Sequence, residues 1–216
     1  MEARRPSLLT DDLLAEGVRH LCALDPCFGD VVLRHGPPSL RAMPPGTATL
    51  LNIVTEQFLS LRAAHAIWLR IEARLSPFSS DAVLACPVDE LMRLGLSGAK
   101  ARSFHGIAAR LLSDPDYISG LTTLPDDEAR ARLVALPGVG PWTADIYLLV
   151  ALQRADVWPA GDLALRQAAT HLFSLGEPLS EKTMRIMGSR FSPWRAVAAR
   201  LLWSHYRGLK GLGQAK

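Results

Sequence analysis

Two stretches of the 216-residue chain carry residues that can do chemistry. The first is Leu136 to Asp145, LPGVGPWTAD. Gly138 and Gly140 lack side chains and tolerate positive φ. Pro137 cannot extend a preceding helix, and Pro141 suits the first turn of a following one, where its missing N–H is not needed. The spacing predicts a helix, a tight turn and a second helix whose N-terminal amides stay open. Open amides and the helix dipole together bind a phosphate, and such a grip ignores base identity. Read alone, Gly-x-Gly also describes an ordinary corner between two helices. The second stretch is Asp156 to Phe173, DVWPAGDLALRQAATHLF. Asp162 closes a Gly/Pro-rich loop and opens an expected helix over 163–173, so by itself it reads as an N-cap. Arg166, one turn on, is placed to pair with Asp162 or with a phosphate, a simple salt bridge being the plainer reading.

These residues must be positioned by helices, because strand signals are almost absent. Phe104, Ile107, Ala108, Leu111 and Leu112 fall on one helical face, and Ile53, Val54, Phe58, Leu61, Ala64, Ile67, Trp68 and Ile71 recur at helical steps. Arg195 to Tyr206 does the same, and Thr143 to Leu152 is apolar nearly all round, the pattern of a central buried helix. Clusters of Gly, Pro and Ser mark the breaks. Ser80 or Asp81 is expected to cap the helix holding Val83, and Ser180 the one after Pro178. About ten helices are expected. The fold class is all-α: two helical lobes, with a helix, a tight turn and a helix at about 130–150. Residues 1–216 read as a single unit, with a central six-helix lobe over roughly 40–160 and a second lobe from roughly 1–40 plus 161–216.

Hydrophobic residues make up 49% of the chain and charged residues 21%, which excludes a disordered protein. No apolar run approaches the ~18 residues needed to span a bilayer, and the N-terminus shows no secretory signal, so a cytoplasmic protein without membrane contact is expected, nucleoid-associated if bacterial. The net charge of +3 permits a polyanionic partner without demanding one. Cys22, Cys27 and Cys86 form no CxxC or iron–sulfur pattern, and the six histidines show no HxxxH or HExxH pair. No catalytic metal held by side chains is expected.

LPGVGPWTAD resembles the hairpin of the helix-hairpin-helix (HhH-GPD) DNA glycosylase superfamily, whose LPGxG is followed by any residue, a class-marking residue and TA. That superfamily places its catalytic aspartate in a Gly/Pro-rich loop about twenty residues on, and Asp162 is the match. Asp156 is the runner-up and is expected to be structural. The resemblance implies a carboxylate that stabilises an oxocarbenium-like sugar and orients or deprotonates water. It also implies a DNA-binding cleft between the two lobes, a helix-hairpin-helix at about 130–150, and DNA contacts from Leu136, Gly138, Val139, Gly140 and Thr143. It implies no cofactor, though it allows a monovalent cation on backbone carbonyls near Leu136 and Val139. Bifunctional members carry a lysine nucleophile at the class-marking position, two residues after Gly140. This chain has Trp142, which cannot form a Schiff base.

Trp142 and WPAGDLAL are similar to the alkylation-repair branch, DNA-3-methyladenine glycosylase II, here without that branch's extra N-terminal β-domain. IVTEQFLSLRAAHA at 53–66 resembles the branch's helix motif IxxQQxSxxxA, GLSGAK at 95–100 a turn the family uses, and FSPWRAVAARLLWSHY at 191–206 its closing helix. The likeness covers roughly residues 24–207. It implies a base pocket with aromatic walls that attract a cationic methylated purine. Trp142 is the leading candidate, with Tyr147 and Trp158 as weaker ones, core packing being the plainer reading of each; Trp203 fits either role, and Trp68 reads as core. It implies a wedge that fills the gap left by a flipped base, drawn from Gln57, Phe58, Leu59 and Ser60, with Phe58 first. Glu56 and Phe58 depart from the usual glutamines, and Ile146 stands where some relatives carry a pocket aromatic. The expected protein is a monomeric, monofunctional glycosylase of alkylated purines in base excision repair, acting on double-stranded DNA with a damaged base. The alternatives are another base specificity (uracil, oxidised or deaminated purine) or a non-catalytic DNA-binding helical module.

Overall fold

The structure is a computed structural model that describes residues 8–211. Among these residues there are twelve α-helices and two short 3-10 segments, with no strand beyond one isolated bridge between Leu8 and Arg154. The chain is all-α. No described helix is long and apolar enough to cross a membrane. The helices fall into two compact units.

The first unit spans Met43–Leu152 and holds α3 (Thr47–Glu56), α4 (Leu61–Arg74), α5 (Ser80–Ala85), α6 (Val88–Arg93), α7 (Gly98–Ser113), a 3-10 turn at Ser119–Thr122, α8 (Asp126–Val134) and α9 (Pro141–Val150). That makes seven α-helices rather than six, because Pro87 breaks the run over 80–93 into α5 and α6. Ser79, not Ser80 or Asp81, caps α5, its hydroxyl accepting the Ala82 N–H at 3.0 Å. The apolar sequence of α9 places every residue from Thr143 to Leu149 in the interior, packed by α3 and α8. One acid on α9, Asp145, is buried and held by the Arg130 guanidinium of α8, which compensates the burial of its charge.

The second unit takes in residues 8–42 and 153–211. It holds α1 (Asp11–Leu24), α2 (Pro26–His35), α10 (Leu163–Leu172), α11 (Glu181–Gly188), a 3-10 turn at Ser189–Phe191 and α12 (Arg195–Leu209). The divide falls after Leu152, ahead of the roughly 160 read from the sequence. The segment after it is tied to α12: the Ala155 carbonyl accepts the Ala196 N–H at 3.0 Å, and Asp156 pairs with Arg195 at 2.8 Å. Asp156 is thus a structural acid, also accepting the Ser192 hydroxyl at 2.7 Å. α12 is the centre of this unit, buried from Ala196 to Leu202 and packed by α1, α2 and α10. Ser180 caps α11.

Candidate functional site

The hairpin belongs to the first unit. α8 ends at Val134, the chain turns through 135–140, and α9 starts with Pro141 in its first turn. The Val139 N–H donates to the Leu136 carbonyl at 3.1 Å and closes the turn. Gly138 has φ +77°, and a Cβ there would meet the Ser103 Oγ of α7 at 2.0 Å, so conformation and space both require glycine. Gly140 differs from the sequence reading. Its φ is −92°, open to any residue, and nothing lies within 4 Å of where its Cβ would be. Its missing side chain therefore serves access: the approach to the N-terminal amides of α9 stays bare. The Gly138 and Gly140 amides have no acceptor among the described residues.

The side chains of Leu136, Val139 and Thr143 are buried. Leu136 and Val139 offer a ligand only their backbone, which corrects any direct side-chain role. The Thr143 hydroxyl is taken by Gln57, whose Nε2 donates to it at 2.8 Å and to the Gly138 carbonyl at 3.0 Å. Gln57 is thus a brace for the hairpin, a role the sequence did not reveal. Ser60 caps α4 through the Ala63 N–H. Phe58, between them, is fully exposed at 103% with φ +57°. A large apolar ring held in the left-handed region and in water is costly twice over. Leu59 and Leu61 beside it are exposed too.

Trp142, in the first turn of α9, is half-buried. Tyr147 lies on the same helix but has no exposure, and its hydroxyl accepts the Gly46 N–H at 2.8 Å, bracing the start of α3. Burial pushes its phenol pKa up to about 12. Tyr147 is a core residue and not a pocket wall.

The carboxylate belongs to the second unit. The loop over 158–162 is wound tightly, with the Ala160 N–H donating to the Trp158 carbonyl at 2.8 Å and the Asp162 N–H to that of Pro159 at 2.9 Å. Asp162 caps α10 and is only 9% exposed. Its Oδ1 accepts the Leu165 N–H at 2.7 Å and the Trp203 indole N–H at 3.1 Å. Two donors on one oxygen fix the carboxylate plane. Trp203, left open by the sequence, is thereby the indole that holds this acid. Trp203 is half-buried on the otherwise buried face of α12, which its type and spacing did not reveal. The Arg166 N–H donates to the Asp162 carbonyl at 3.0 Å as part of α10, and its guanidinium Nε donates to the Leu179 carbonyl at 2.6 Å. Trp158 is also core. It is 4% exposed, its N–H donates to the Met184 carbonyl at 2.8 Å, and its ring packs on Phe191 and Gly188. Among the described residues no three of His, Cys, Asp and Glu gather in a metal-binding group.

A hairpin with bare amides and a pinned, nearly buried acid in a separate unit match one family: HhH-GPD superfamily base excision DNA repair protein, over residues 51–193. The chain belongs to the HhH-GPD superfamily. Of its HhH-GPD relatives, DNA-3-methyladenine glycosylase 1 of Schizosaccharomyces pombe is 30% identical over 168 residues, covering 71% of this chain and 69% of that protein. A shorter stretch of 76 residues is 43% identical to the probable bifunctional transcriptional activator/DNA repair enzyme AlkA of Mycobacterium tuberculosis, covering 35% of this chain and 15% of that protein's length. Among solved structures, the S. pombe 3-methyladenine DNA glycosylase Mag1 in complex with abasic DNA superposes with a TM-score of 0.81 at 25% identity, over 93% of this chain and 100% of that one.

Proposed function

We propose that this protein is a monofunctional DNA glycosylase, which hydrolyses the N-glycosidic bond of alkylated purines of the 3-methyladenine and 7-methylguanine type in double-stranded DNA. The observation that carries the reading is the state of Asp162: a nearly buried carboxylate whose Oδ1 accepts two N–H donors. The kinship to proteins named as 3-methyladenine glycosylases supports it.

In this reading the amides around Gly138 and Gly140 hold a backbone phosphate, and Phe58 fills the space of the everted nucleotide. Trp142 offers its aromatic face to the cationic base. The C1′–N bond breaks as a water oxygen bonds to C1′. The bonding pair leaves with the base and neutralises its ring, and the water proton passes to the Asp162 carboxylate or to solvent. Asp162 stabilises the positive charge that grows on the sugar. Alkylation already makes the base a good leaving group, so no strong acid is needed. The backbone carbonyls of Leu136 and Val139 are the oxygens for a monovalent ion, if one is bound. Leu136 keeps a second lone pair beyond its bond to the Val139 N–H, and such an ion would add positive charge beside the phosphate.

Two tests arise here. Borohydride trapping on methylated duplex DNA yields no covalent adduct and leaves the strand intact at the abasic product, because position 142 holds an indole; a trapped adduct would refute monofunctional chemistry. Trp203→Phe keeps the ring but removes the N–H that reaches Asp162. It is expected to lower kcat by about tenfold, the worth of a hydrogen bond to a charged group, with KM within about twofold. An unchanged kcat would show that the indole does not support the acid. A panel of single-lesion duplexes, with uracil, hypoxanthine and 8-oxoguanine beside the methylated purines, defines the base range.

A further inference from the structure

Phe58 is exposed, yet the turn that presents it is heavily tethered. α3 ends at Glu56, Gln57 is its C-cap, and the Leu59 N–H returns to the Glu56 carbonyl at 3.1 Å across Phe58. The residue just before the ring is held at both ends. Its main-chain carbonyl accepts the Lys100 Nζ at 2.6 Å, while the same ammonium reaches the Thr55 carbonyl at 2.8 Å. Its side-chain amide donates to the Gly138 carbonyl and the Thr143 hydroxyl of the hairpin. Lys100 sits in the first turn of α7, and Ser103, three residues on, is the side chain that packs under Gly138. One turn of α7 thus supports both the Phe58 turn and the phosphate turn. The ammonium is partly desolvated, which pushes its pKa down, and it lies against the carbonyl end of α3, where a cation is favoured.

We propose that Lys100 and Gln57 are positioning residues that join the exposed Phe58 ring and the Gly138 turn into one rigid device, so that gripping a phosphate fixes where the ring enters the base stack. This rests on the glycosylase reading above. Neither residue touches the reacting atoms. Their work is to hold an unfavourable φ at Phe58 against relaxation, which a turn without such ties would undergo.

The test uses the full chain and two readouts. The first needs no turnover: fluorescence of 2-aminopurine beside a tetrahydrofuran abasic analogue in duplex DNA, measured at saturating protein. Native protein raises the signal as the ring unstacks the base, and Phe58→Ala abolishes the rise. Lys100→Met and Gln57→Leu are each expected to cut it by about half or more, while Lys100→Arg keeps most of it. The second is single-turnover release of a methylated purine from two duplexes of the same sequence, with the lesion either paired or opposite an abasic analogue. Lys100→Met, Gln57→Leu and Phe58→Ala each lose about tenfold on the paired duplex and less than about threefold on the other, since eversion costs less where no partner stacks. Both duplexes carry nearly the same phosphate charge, so loss of the Lys100 charge cancels in the ratio. Equal losses on the two duplexes, or native-like fluorescence in both variants beside a silent Phe58→Ala, would overturn the inference. A native protein that raises fluorescence but releases no base overturns the glycosylase reading and leaves the positioning claim standing.

Discussion

Asp162→Asn is expected to slow base release from methylated duplex DNA by about 10²–10³-fold while leaving DNA affinity and the melting temperature near native values. The size follows from removing the charge that faces a developing cation in a poorly solvated site. The selectivity follows from the geometry. An asparagine carbonyl still accepts the Leu165 N–H and the Trp203 indole N–H, the two bonds that hold Oδ1 now, and asparagine caps helices as well as aspartate does. The loop and α10 therefore stay in place. Single-turnover rates, binding to an abasic-analogue duplex and thermal unfolding are the three measurements. A variant with nearly full activity would remove Asp162 from the chemistry.

The second large effect lies in the hairpin, where the two glycines are expected to behave oppositely. Gly140→Ala should be nearly silent, because its φ is ordinary and its Cβ would meet open space. Gly140→Asp leaves the fold intact for the same reason but brings a carboxylate to the helix end proposed above as the phosphate site. It is expected to lower duplex affinity by at least about tenfold and to flatten the salt dependence of binding, as one phosphate contact is lost. Gly138→Ala damages the protein itself: positive φ costs a side-chain residue about 1–2 kcal/mol, and the added carbon would also strike Ser103. Its melting temperature falls along with its affinity. Fluorescence anisotropy over a range of salt, with melting curves alongside, separates these cases. If Gly140→Asp binds like the native chain, the bare amides are not the phosphate site.

The all-α class was legible because helical spacing and Gly/Pro breaks are local signals, and the hairpin because Pro137, Gly138 and Pro141 each constrain the backbone at their own position. The reason for Gly140 was not, since absence of a side chain looks the same whether it serves conformation or access. Tyr147 and Trp158 stayed open between pocket and core for a related cause. An aromatic type says that a residue is large and apolar, and only the packing of Tyr147 against Gly46 or Trp158 against Gly188 says which way it faces. The ties that matter most to the site join residues far apart in the chain: Gln57 to Gly138, 81 positions on, and Asp162 to Trp203, 41 positions on. No local pattern encodes such pairs, and polar side chains that make them look like any other polar residue. Phe58 belonged to an apolar helical stripe by spacing, yet the stripe ends one residue short of Gln57 and the ring is left outside.

The second unit is assembled from two segments of the chain, and residues 43–152 of the first unit separate them in the sequence. This sets an order during synthesis. Leu14, Leu21, Phe28 and Val31 on α1 and α2 leave the ribosome before residues 43–152, and α12, which covers those helices, only after them. Residues 43–152 have by then been produced as one uninterrupted stretch. The early segment must wait with its oily faces uncovered until α12 has been made, a window in which chaperones and proteases have first access to it.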